Sequence, residues 1–322
     1  MPSTPETRRF STGFVLGLFA MTLVGGSVAV SGALGDAPLF TAQAIRYAIA
    51  AGLLALIARM ARVRVVRPRG AEWLWLTGIA ATGLVLFNVA VIRGVAHAEP
   101  ATIAVAVACV PVVIGLVGPL LDGQRPARRV ILAAVVVTLG GVIVEGAGRT
   151  DAAGVAWAVV ALLCEAAFTL LAVPVLRRQG AWGVSLHTVW IGTVMLVLLA
   201  MLAEGPQSAL RLHSDDWVAI GYLALMVTAV AFLCWYSCVA IIGSGRAGLL
   251  TGVAPPAAAF AGAATIRQLP ALPVWLGIGV VCIGLAIGLG FRRTRSSSET
   301  ESPHTKRHKR LRPSSAVIVT DE

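Results

Sequence analysis

Charged residues are unusually scarce in this sequence. Of its 322 residues only 13% are Asp, Glu, Lys or Arg, whereas a soluble globular domain carries about 25%. Hydrophobic residues make up 57% of the chain, and its mean hydropathy is +0.85. So few ionisable groups cannot solvate the surface of a chain this long, whereas the apolar excess suits a protein surrounded by lipid. The composition excludes a soluble single domain and predicts an integral membrane protein.

Acidic residues and paired cysteines are also lacking. The chain has 15 Asp and Glu against 26 Lys and Arg, a net charge of +11. The basic residues lie between apolar runs and form no stripe with interleaved aromatics, so we expect no nucleic-acid partner. No Cys-x-x-Cys pair occurs, and all five cysteines fall inside apolar runs, which excludes a disulfide frame and a zinc site. We therefore expect neither a cofactor nor a metal.

The apolar residues fall into runs near the length of about 20 that a helix needs to cross a bilayer. Ten such runs are present, of which the fifth is the shortest, and the length of the first favours a span over a cleaved secretion signal. Their limits are Gly13–Leu34, Leu39–Met60, Trp73–Ile92, Ala101–Leu121, Val130–Val144, Gly154–Leu176, Val184–Ala203, Trp217–Cys238, Ala247–Ile266 and Pro273–Gly290. The sequence predicts an all-α integral membrane fold with ten transmembrane helices.

The basic residues are divided unequally between the two sides of these spans. One side collects 21 of the 26, including a polar C-terminal tail, and the other side has four. Because cytoplasmic loops are enriched in Lys and Arg, both termini are predicted to be cytoplasmic, in a cell or inner membrane. The tail over residues 291–322 is expected to be disordered and to contact anionic lipid.

An internal repeat relates the two halves of the chain. A shift of 144 residues aligns residues that mark helix starts and breaks: Glu72 with Asp216, Trp73 with Trp217, Pro111 with Pro255, Gly118 with Gly262, Gln124 with Gln268, Pro126 with Pro270 and Gly140 with Gly284. With five spans in each unit, the second unit must enter the membrane from the opposite face. We expect two inverted repeats, residues 13–146 and 147–290, between an N-terminal segment (1–12) and the tail (291–322). Inverted repeats are typical of alternating-access transporters, although a duplicated bundle that only scaffolds partners has the same pattern.

The sequence resembles the EamA branch of the drug/metabolite transporter superfamily. The resemblance rests on the ten spans, the five-plus-five repeat, the Pro38…Arg46-Tyr47 pattern entering the second span, and similar endings of the two halves around Pro111 and Pro255. It covers roughly residues 10–290 and implies transport of a small metabolite or drug, with export and proton coupling preferred. The family usually has Glu before the fifth and tenth spans, where this chain has Gln124 and Gln268, so no carboxylate acts there. A capping role for these glutamines is still expected.

Ionisable side chains inside the spans are few, and each is a candidate functional residue. Glu165 lies mid-span, where desolvation favours the neutral acid that proton coupling requires, but it is also explained by pairing with a neighbouring Arg or hydroxyl. Arg46 offers a fork to a substrate carboxylate or phosphate, or bonds to helix carbonyls. His187 is interpreted mainly as a hydrogen-bonding imidazole. Further polar candidates are Asn88, Trp190 and Tyr236, with cavity lining and helix packing both open for the two aromatic residues.

Matched prolines provide another candidate feature. Pro111 and the Pro255-Pro256 pair remove backbone donors and are expected to kink the fourth and ninth helices, which suits moving elements or merely shapes packing. A membrane enzyme acting on lipid is the competing class, and its best feature is His213 with Asp215-Asp216. Because no second acidic cluster or metal-ligand spacing accompanies them, we expect no enzyme. A nucleotide-sugar or lipid carrier of the same superfamily is the alternative transport function.

Overall fold

The computed structural model describes residues 5–31, 34–35, 37–121, 123–146, 148–267 and 269–289, and in these residues it contains helices and no strand. Ten helical segments follow one another along the chain. They are α1 (Pro5–Ser31), α2 (Leu39–Met60), α3 (Glu72–Val95), α4 (Pro100–Leu121), α5 (Arg128–Glu145), α6 (Ala152–Leu170), α7 (Val173–Ala203), α8 (Ser214–Ile242), α9 (Ser244–Leu250 and Ala254–Ile266, joined by a 3-10 turn over Thr251–Val253) and α10 (Leu272–Leu289).

Nine segments in the described part of the chain are long and apolar enough to cross a membrane. The remaining segment is α5, which has 18 residues but carries Arg128 and Arg129 at one end and Glu145 at the other. Many large apolar side chains point outwards, among them Met60, Leu202 and Leu210, the last at 83% exposure. Such an apolar surface is unstable in water and suits contact with lipid. The chain is a multi-pass membrane protein.

Several helices extend beyond the apolar runs that predict them. The first begins at Pro5, eight residues before the start of its run at Gly13, and ends at Ser31, three residues short of the predicted end at Leu34. The sixth ends at Leu170, and α7 begins only three residues later. The first turns of α7 are then separated from its remainder by Gly180, whose φ of 64° is open to glycine and breaks the helix. Hydropathy alone does not show these extensions because helices continue past the lipid core.

The 144-residue repeat of the sequence is also a repeat of structure. Helices α5 and α10 differ by 144 in both their first and last residues. Both α3 and α8 contain a π-helical stretch, over Ala80–Leu86 and Leu223–Val230. The α-helical course of α4 is interrupted at Cys109, and that of α9 at the corresponding Thr251–Val253 turn. The two halves therefore have the same order of helices and the same local irregularities.

The contact between α5 and α10 joins equivalent positions of the two halves. A Cβ atom on Gly140 would lie 2.8 Å from the backbone nitrogen of Val281, and one on Gly284 would lie 2.9 Å from that of Val137. Gly140 and Gly284 are 144 residues apart, and so are Val137 and Val281. Each contact is thus the image of the other, and the residue numbers run in opposite directions along the two helices. The pair is antiparallel, and its small residues allow close approach.

The other helices exchange partners between the halves. The first helix of the first half, α1, packs against α8 and α9, and the first helix of the second half, α6, packs against α3 and α4. At the centre α2 packs against its counterpart α7. The largest buried cluster is formed mainly by α2, α3, α7 and α8, with Tyr47, Leu84 and Trp235 among its members. This core holds the polar residues described next.

Candidate functional site

Arg46 extends from the second turn of α2 towards the centre of α8. Its Nε donates to the Thr228 hydroxyl at 2.8 Å, and its Nη1 donates to the Gln43 side-chain oxygen at 3.2 Å. The guanidinium also lies over the Tyr47 ring, 5.2 Å from the ring centre. Thr228 belongs to the π-helical stretch of α8, a local irregularity that frequently marks functional sites. Arg46 is therefore held by side chains of two helices that face each other.

The Arg46 charge has no counter-ion in the described part of the chain. None of the salt bridges among the described residues includes Arg46, although its guanidinium lies deep among the helices. Its side chain nevertheless remains half-buried rather than fully covered. Arg46 therefore carries a positive charge that no described carboxylate neutralises.

A second polar link joins α2 to α3. The Asn88 amide nitrogen donates to the Leu84 carbonyl at 2.6 Å and lies 3.5 Å from the Tyr47 hydroxyl. Leu84 is part of the π-helical stretch of α3, so the side chain of Asn88 satisfies a carbonyl of an irregular helix. Asn88 and Arg46 therefore both contact Tyr47.

Glu165 lies on α6 without a hydrogen-bonding partner. No described residue donates a hydrogen bond to its carboxylate or forms a salt bridge with it, although it lies deep among the helices and is only half-buried. The nearby Tyr236 hydroxyl interacts with Glu165 electrostatically but donates its hydrogen bond to the Phe168 carbonyl at 3.2 Å. The sequence left open a pairing of Glu165 with an Arg or a hydroxyl, and the structure places neither partner there. Among the described residues, Glu165 therefore has no hydrogen-bonding or ion-pair partner.

Tyr236 itself belongs to the packing of α6 against α8. It is fully buried, and its ring lies 5.2 Å from that of Phe168 and 6.4 Å from that of Phe232. On the same two helices the Trp235 indole donates to the Thr169 hydroxyl at 3.0 Å. Tyr236 therefore offers no surface to a ligand in this structure.

His187 and Trp190 form a separate cluster with Trp73. The Trp190 indole donates to His187 Nδ1 at 3.1 Å, so the imidazole proton is on Nε2, which donates to the Val66 carbonyl at 3.1 Å. The Trp73 ring lies 6.0 Å from Trp190 and 6.4 Å from His187. The structure thus places these two candidates together, apart from Arg46 and Glu165.

The His187 pair is the counterpart of the Arg46 pair in the other half. Gln43 and Arg46 on α2 correspond, by the 144-residue shift, to His187 and Trp190 on α7. In each pair the second side chain donates to the first across one helical turn. The repeat therefore conserves the hydrogen bond while its chemistry differs, with a cation in one half and a neutral aromatic pair in the other.

The loops contain two polar clusters that the sequence did not reveal. The Glu204 carboxylate, after the end of α7, accepts the backbone N–H groups of Phe40 and Thr41 at 2.8 and 2.9 Å and so caps the start of α2. At the other end of α2, Arg178 pairs with Glu72 and donates to a loop carbonyl. Glu204 thus links the end of α7 to the start of α2, and Arg178 links the first turns of α7 to α3 and to the loop before it. Contacts over more than 100 residues leave no local sequence signal.

A third cluster ties the loop before α4 to the loop before α6. Arg149 donates to Glu99 at 2.7 Å, which lowers the pKa of the Glu99 carboxyl. The Asp151 carboxylate accepts the Gly154 N–H at 2.8 Å and lies 3.1 Å from His97, and these hydrogen bonds lower the pKa of Asp151, the Gly154 amide having the larger effect. Asp151 is therefore the N-cap of α6.

The remaining sequence predictions have simple structural positions. Pro111 follows the interruption of α4 at Cys109, and Pro255 and Pro256 follow the 3-10 turn of α9. The expected cap from Gln124 is wrong: α5 begins after Ala127 without a side-chain cap, because extended residues carry Gln124 away from its first turn. Gln268 and the tail over residues 291–322 lie outside the described residues.

The acidic pair that favoured an enzyme lies at the start of α8. The Asp216 carboxylate accepts a hydrogen bond from the His213 backbone N–H at 2.8 Å and lies 3.6 Å from the His213 ring. His213 and Asp216 together form a capping box at the start of α8. Asp215 is bonded only by the neighbouring Ser214 hydroxyl. Among the described residues there is no group of three His, Cys, Asp or Glu side chains that would hold a metal. The pair is explained as a helix cap.

Comparison with known proteins identifies the family. A model of the EamA-like transporter family matches residues 11–145 and 152–289, one match in each half of the fold. The chain belongs to this family. These two matches coincide with the two structural halves that the 144-residue repeat relates. The resemblance to the EamA family that the sequence indicates is confirmed.

Individual relatives of this EamA-like transporter are distant. The uncharacterised transporter YetK of Bacillus subtilis (strain 168) is 23% identical over 276 residues, which cover 83% of this chain and 84% of that protein. A probable terminal-alkyne amino-acid exporter of Streptantibioticus cattleyicolor is 26% identical over 216 residues, covering 66% and 71%. One crystal structure, 17% identical, has a TM-score of 0.73 and covers 86% of this chain and 96% of its own, which shows the fold alone. The family and these relatives are named as transporters, not enzymes.

Proposed function

We propose that this EamA-like transporter moves small metabolites or drugs across the cell membrane by alternating access between two inverted five-helix repeats. The observation that carries the proposal is the contact of α5 with α10. Two antiparallel helices that present equivalent residues to each other are related by a twofold axis perpendicular to them. If both helices cross the membrane, that axis lies in the membrane plane, which is the arrangement of inverted-repeat transporters.

This proposal makes α5 the tenth membrane span. Its charged residues lie only in its first and last turns, and Arg129 donates to the Ile287 carbonyl of α10. Charged side chains at the ends of a span cost little, because that part of the helix lies near the lipid headgroups. Its full length packs on α10, which is long and apolar enough to cross a membrane. With ten spans both termini would lie on one side, and the excess of basic residues on that side supports a cytoplasmic location.

Alternating access requires two arrangements of similar energy, and the repeat supports them. Helices α2 and α7 pack against each other between the two halves. The Gln43–Arg46 pair lies on α2, and the His187–Trp190 pair lies at the equivalent position of α7. The π-helical stretches and the interruptions of α4 and α9 lie at matched positions, where backbone groups bend or face a cavity. Exchange of the two arrangements would open the same central space to each side in turn.

Glu165 is our candidate for proton coupling. A carboxylate that is enclosed by helices, unpaired and still accessible gains or loses a proton without breaking a structural bond. The position of Glu165 in the second repeat corresponds to Met21 in the first, so only one of the two halves supplies this group. Export is supported by the relative from Streptantibioticus cattleyicolor, which is named as a probable terminal-alkyne amino-acid exporter.

Transport in proteoliposomes with an imposed pH gradient tests these proposals. Wild-type protein is expected to move at least one member of a panel of amino acids, nucleosides and cationic drugs faster when the gradient is present. E165Q should move the same compound with no response to the gradient, because Gln carries no exchangeable charge. E145Q, which alters another carboxylate within an apolar helix, should behave as wild type. An unchanged gradient response in E165Q would refute the coupling role, and an inert wild-type protein would refute transport of this panel.

A further inference from the structure

The guanidinium of Arg46 has unused hydrogen-bonding capacity. Arginine carries five N–H donors, and two of them are used, by Thr228 and by Gln43. No other side chain in the described residues accepts from Arg46, and no carboxylate lies within 4.0 Å of it. An ionised group without a counter-charge in a membrane interior is costly, so such residues typically mark a ligand or an ion pathway.

Two other ways of stabilising the charge are absent or weak. Arg46 begins about 10 Å along α2, and its side chain is directed to Thr228 at the centre of α8 rather than to the lipid headgroups. The Tyr47 ring, 5.2 Å from the guanidinium, provides a cation–π contact that lessens but does not cancel a full charge. The remaining N–H groups of Arg46 are therefore available to donate to an anionic or strongly polar acceptor.

The described contacts also fix how that acceptor must approach. Thr228 and Gln43 hold the guanidinium plane from α8 and from α2, so the remaining donors keep one orientation. Thr228 is fully buried, and Gln43 is 9% exposed, so neither partner is free to rotate away. A preorganised fork of parallel N–H groups matches the two oxygens of a carboxylate.

We propose that Arg46 binds the carboxylate of a small substrate that carries one negative charge or is a zwitterion. This inference rests on the proposed transport function and names its substrate class. A phosphate ester is a poorer match because it carries nearly two negative charges, whereas Arg46 supplies a single positive charge. Both lysines of the chain, Lys306 and Lys309, are in the tail.

Glu165 interacts with a different part of α8 from Arg46. Arg46 bonds to Thr228, whereas Glu165 interacts with Tyr236, eight residues further along the same helix. The proposal therefore assigns the substrate carboxylate to Arg46 and the proton to Glu165.

The test compares carboxylates with matched compounds that lack the charge. The probes are the twenty L-amino acids with lactate and benzoate, the corresponding amino-acid amides, and glycerol 3-phosphate. Binding to purified protein is measured by the ligand-dependent shift in thermal unfolding, and transport is measured in proteoliposomes. Wild-type protein should bind and move at least one carboxylate at least about tenfold better than its amide or the phosphate ester, the factor that loss of a charge-assisted hydrogen bond gives.

Substitutions at Arg46 separate binding from folding. R46Q should weaken binding of that carboxylate at least about tenfold. R46K keeps the charge without the fork and should raise KM more than it lowers the maximal rate, and added guanidinium ion should partly restore R46A. The control R93Q changes an exposed arginine at the end of α3 and should match wild type.

The outcomes distinguish the substrate site from the transport function. If R46Q binds and moves the carboxylate as wild type does, or if amides and carboxylates are handled equally, the Arg46 site is refuted while transport stands. If carboxylates bind in an Arg46-dependent manner but none is moved, the site is supported and transport is refuted. Failure of every carboxylate to bind the wild-type protein refutes the site.

Discussion

The close approach of α5 to α10 predicts a specific sensitivity to a single methyl group. A Cβ atom on Gly277 would lie 2.7 Å from the Gly140 carbonyl oxygen and 3.0 Å from the backbone nitrogen of Val144. Both are backbone atoms that cannot rotate away, so G277A must push the two helices apart. Forced overpacking of this kind costs about 1–3 kcal/mol.

A matched control lies on the same helix. Gly279 has no atom within 4 Å of the position its Cβ would occupy. Replacement of Gly by Ala within a helix also gains about 1 kcal/mol of helix propensity, and this gain is common to G277A and G279A. The difference in unfolding free energy between the two variants therefore isolates the steric term, at about 1–3 kcal/mol.

Reversible unfolding in mixed micelles, followed by tryptophan fluorescence, measures this difference. We expect G279A to equal or exceed wild type and G277A to be the least stable of the three. The double variant G140A/G277A should lose less than the sum of the single losses, because helices already separated by one methyl group accommodate the other. Equal stability of G277A and G279A would show that the helices do not meet here, and the argument for a twofold axis would lose its support.

Two further predictions concern the helix caps. E204A removes the acceptor of the Phe40 and Thr41 N–H groups and should destabilise the protein by about 1–2 kcal/mol in the same unfolding assay. E204Q keeps one acceptor oxygen and should lose less stability. A wild-type free energy of unfolding for E204A would contradict the capping role. The pKa of Asp151 is lowered in the folded state, so its stabilisation is present above the unfolded pKa of about 3.9 and is lost as the pH falls through the lower folded value. The stability gap between wild type and D151N should therefore narrow as the pH is lowered from 6 to 3, and a gap independent of pH would contradict this cause.

The fold was predictable from the sequence to the extent that it depends on local composition. Apolar runs locate the helices because a membrane span must be apolar over its whole length. The 144-residue shift located the repeat because residues that break helices, such as Pro111 and Pro255, are specified locally. The π-helical stretches were not predicted, since their sequences do not differ from those of ordinary apolar helices. The break at Gly180 falls in the polar connection predicted between the sixth and seventh spans.

The candidate site was predictable only in part. Arg46 and Glu165 stood out because ionisable residues are rare in spans, but their partners did not. Thr228 lies 182 residues from Arg46, and nothing in its sequence neighbourhood distinguishes it from other hydroxyl residues. Tyr236 was a candidate for the cavity, whereas it is buried against the Phe168 ring of α6 and the Phe232 ring of its own helix. Which polar residues meet is decided by tertiary packing.

The similarity of the two halves permits the exchange of conformations in the proposed mechanism, and the differences between the halves affect the direction of transport. If the repeats were identical, the arrangements open to each side would have equal energy, and substrate would bind equally from either side. Here Arg46 corresponds to Trp190 and Glu165 to Met21, so the charged groups belong to different halves and have neutral counterparts. The two arrangements therefore place Arg46 and Glu165 in different surroundings, and their energies depend on which charge is neutralised. In the proposed mechanism a substrate carboxylate would act on one half and a proton on the other, which is the asymmetry that coupled transport through a symmetric scaffold requires.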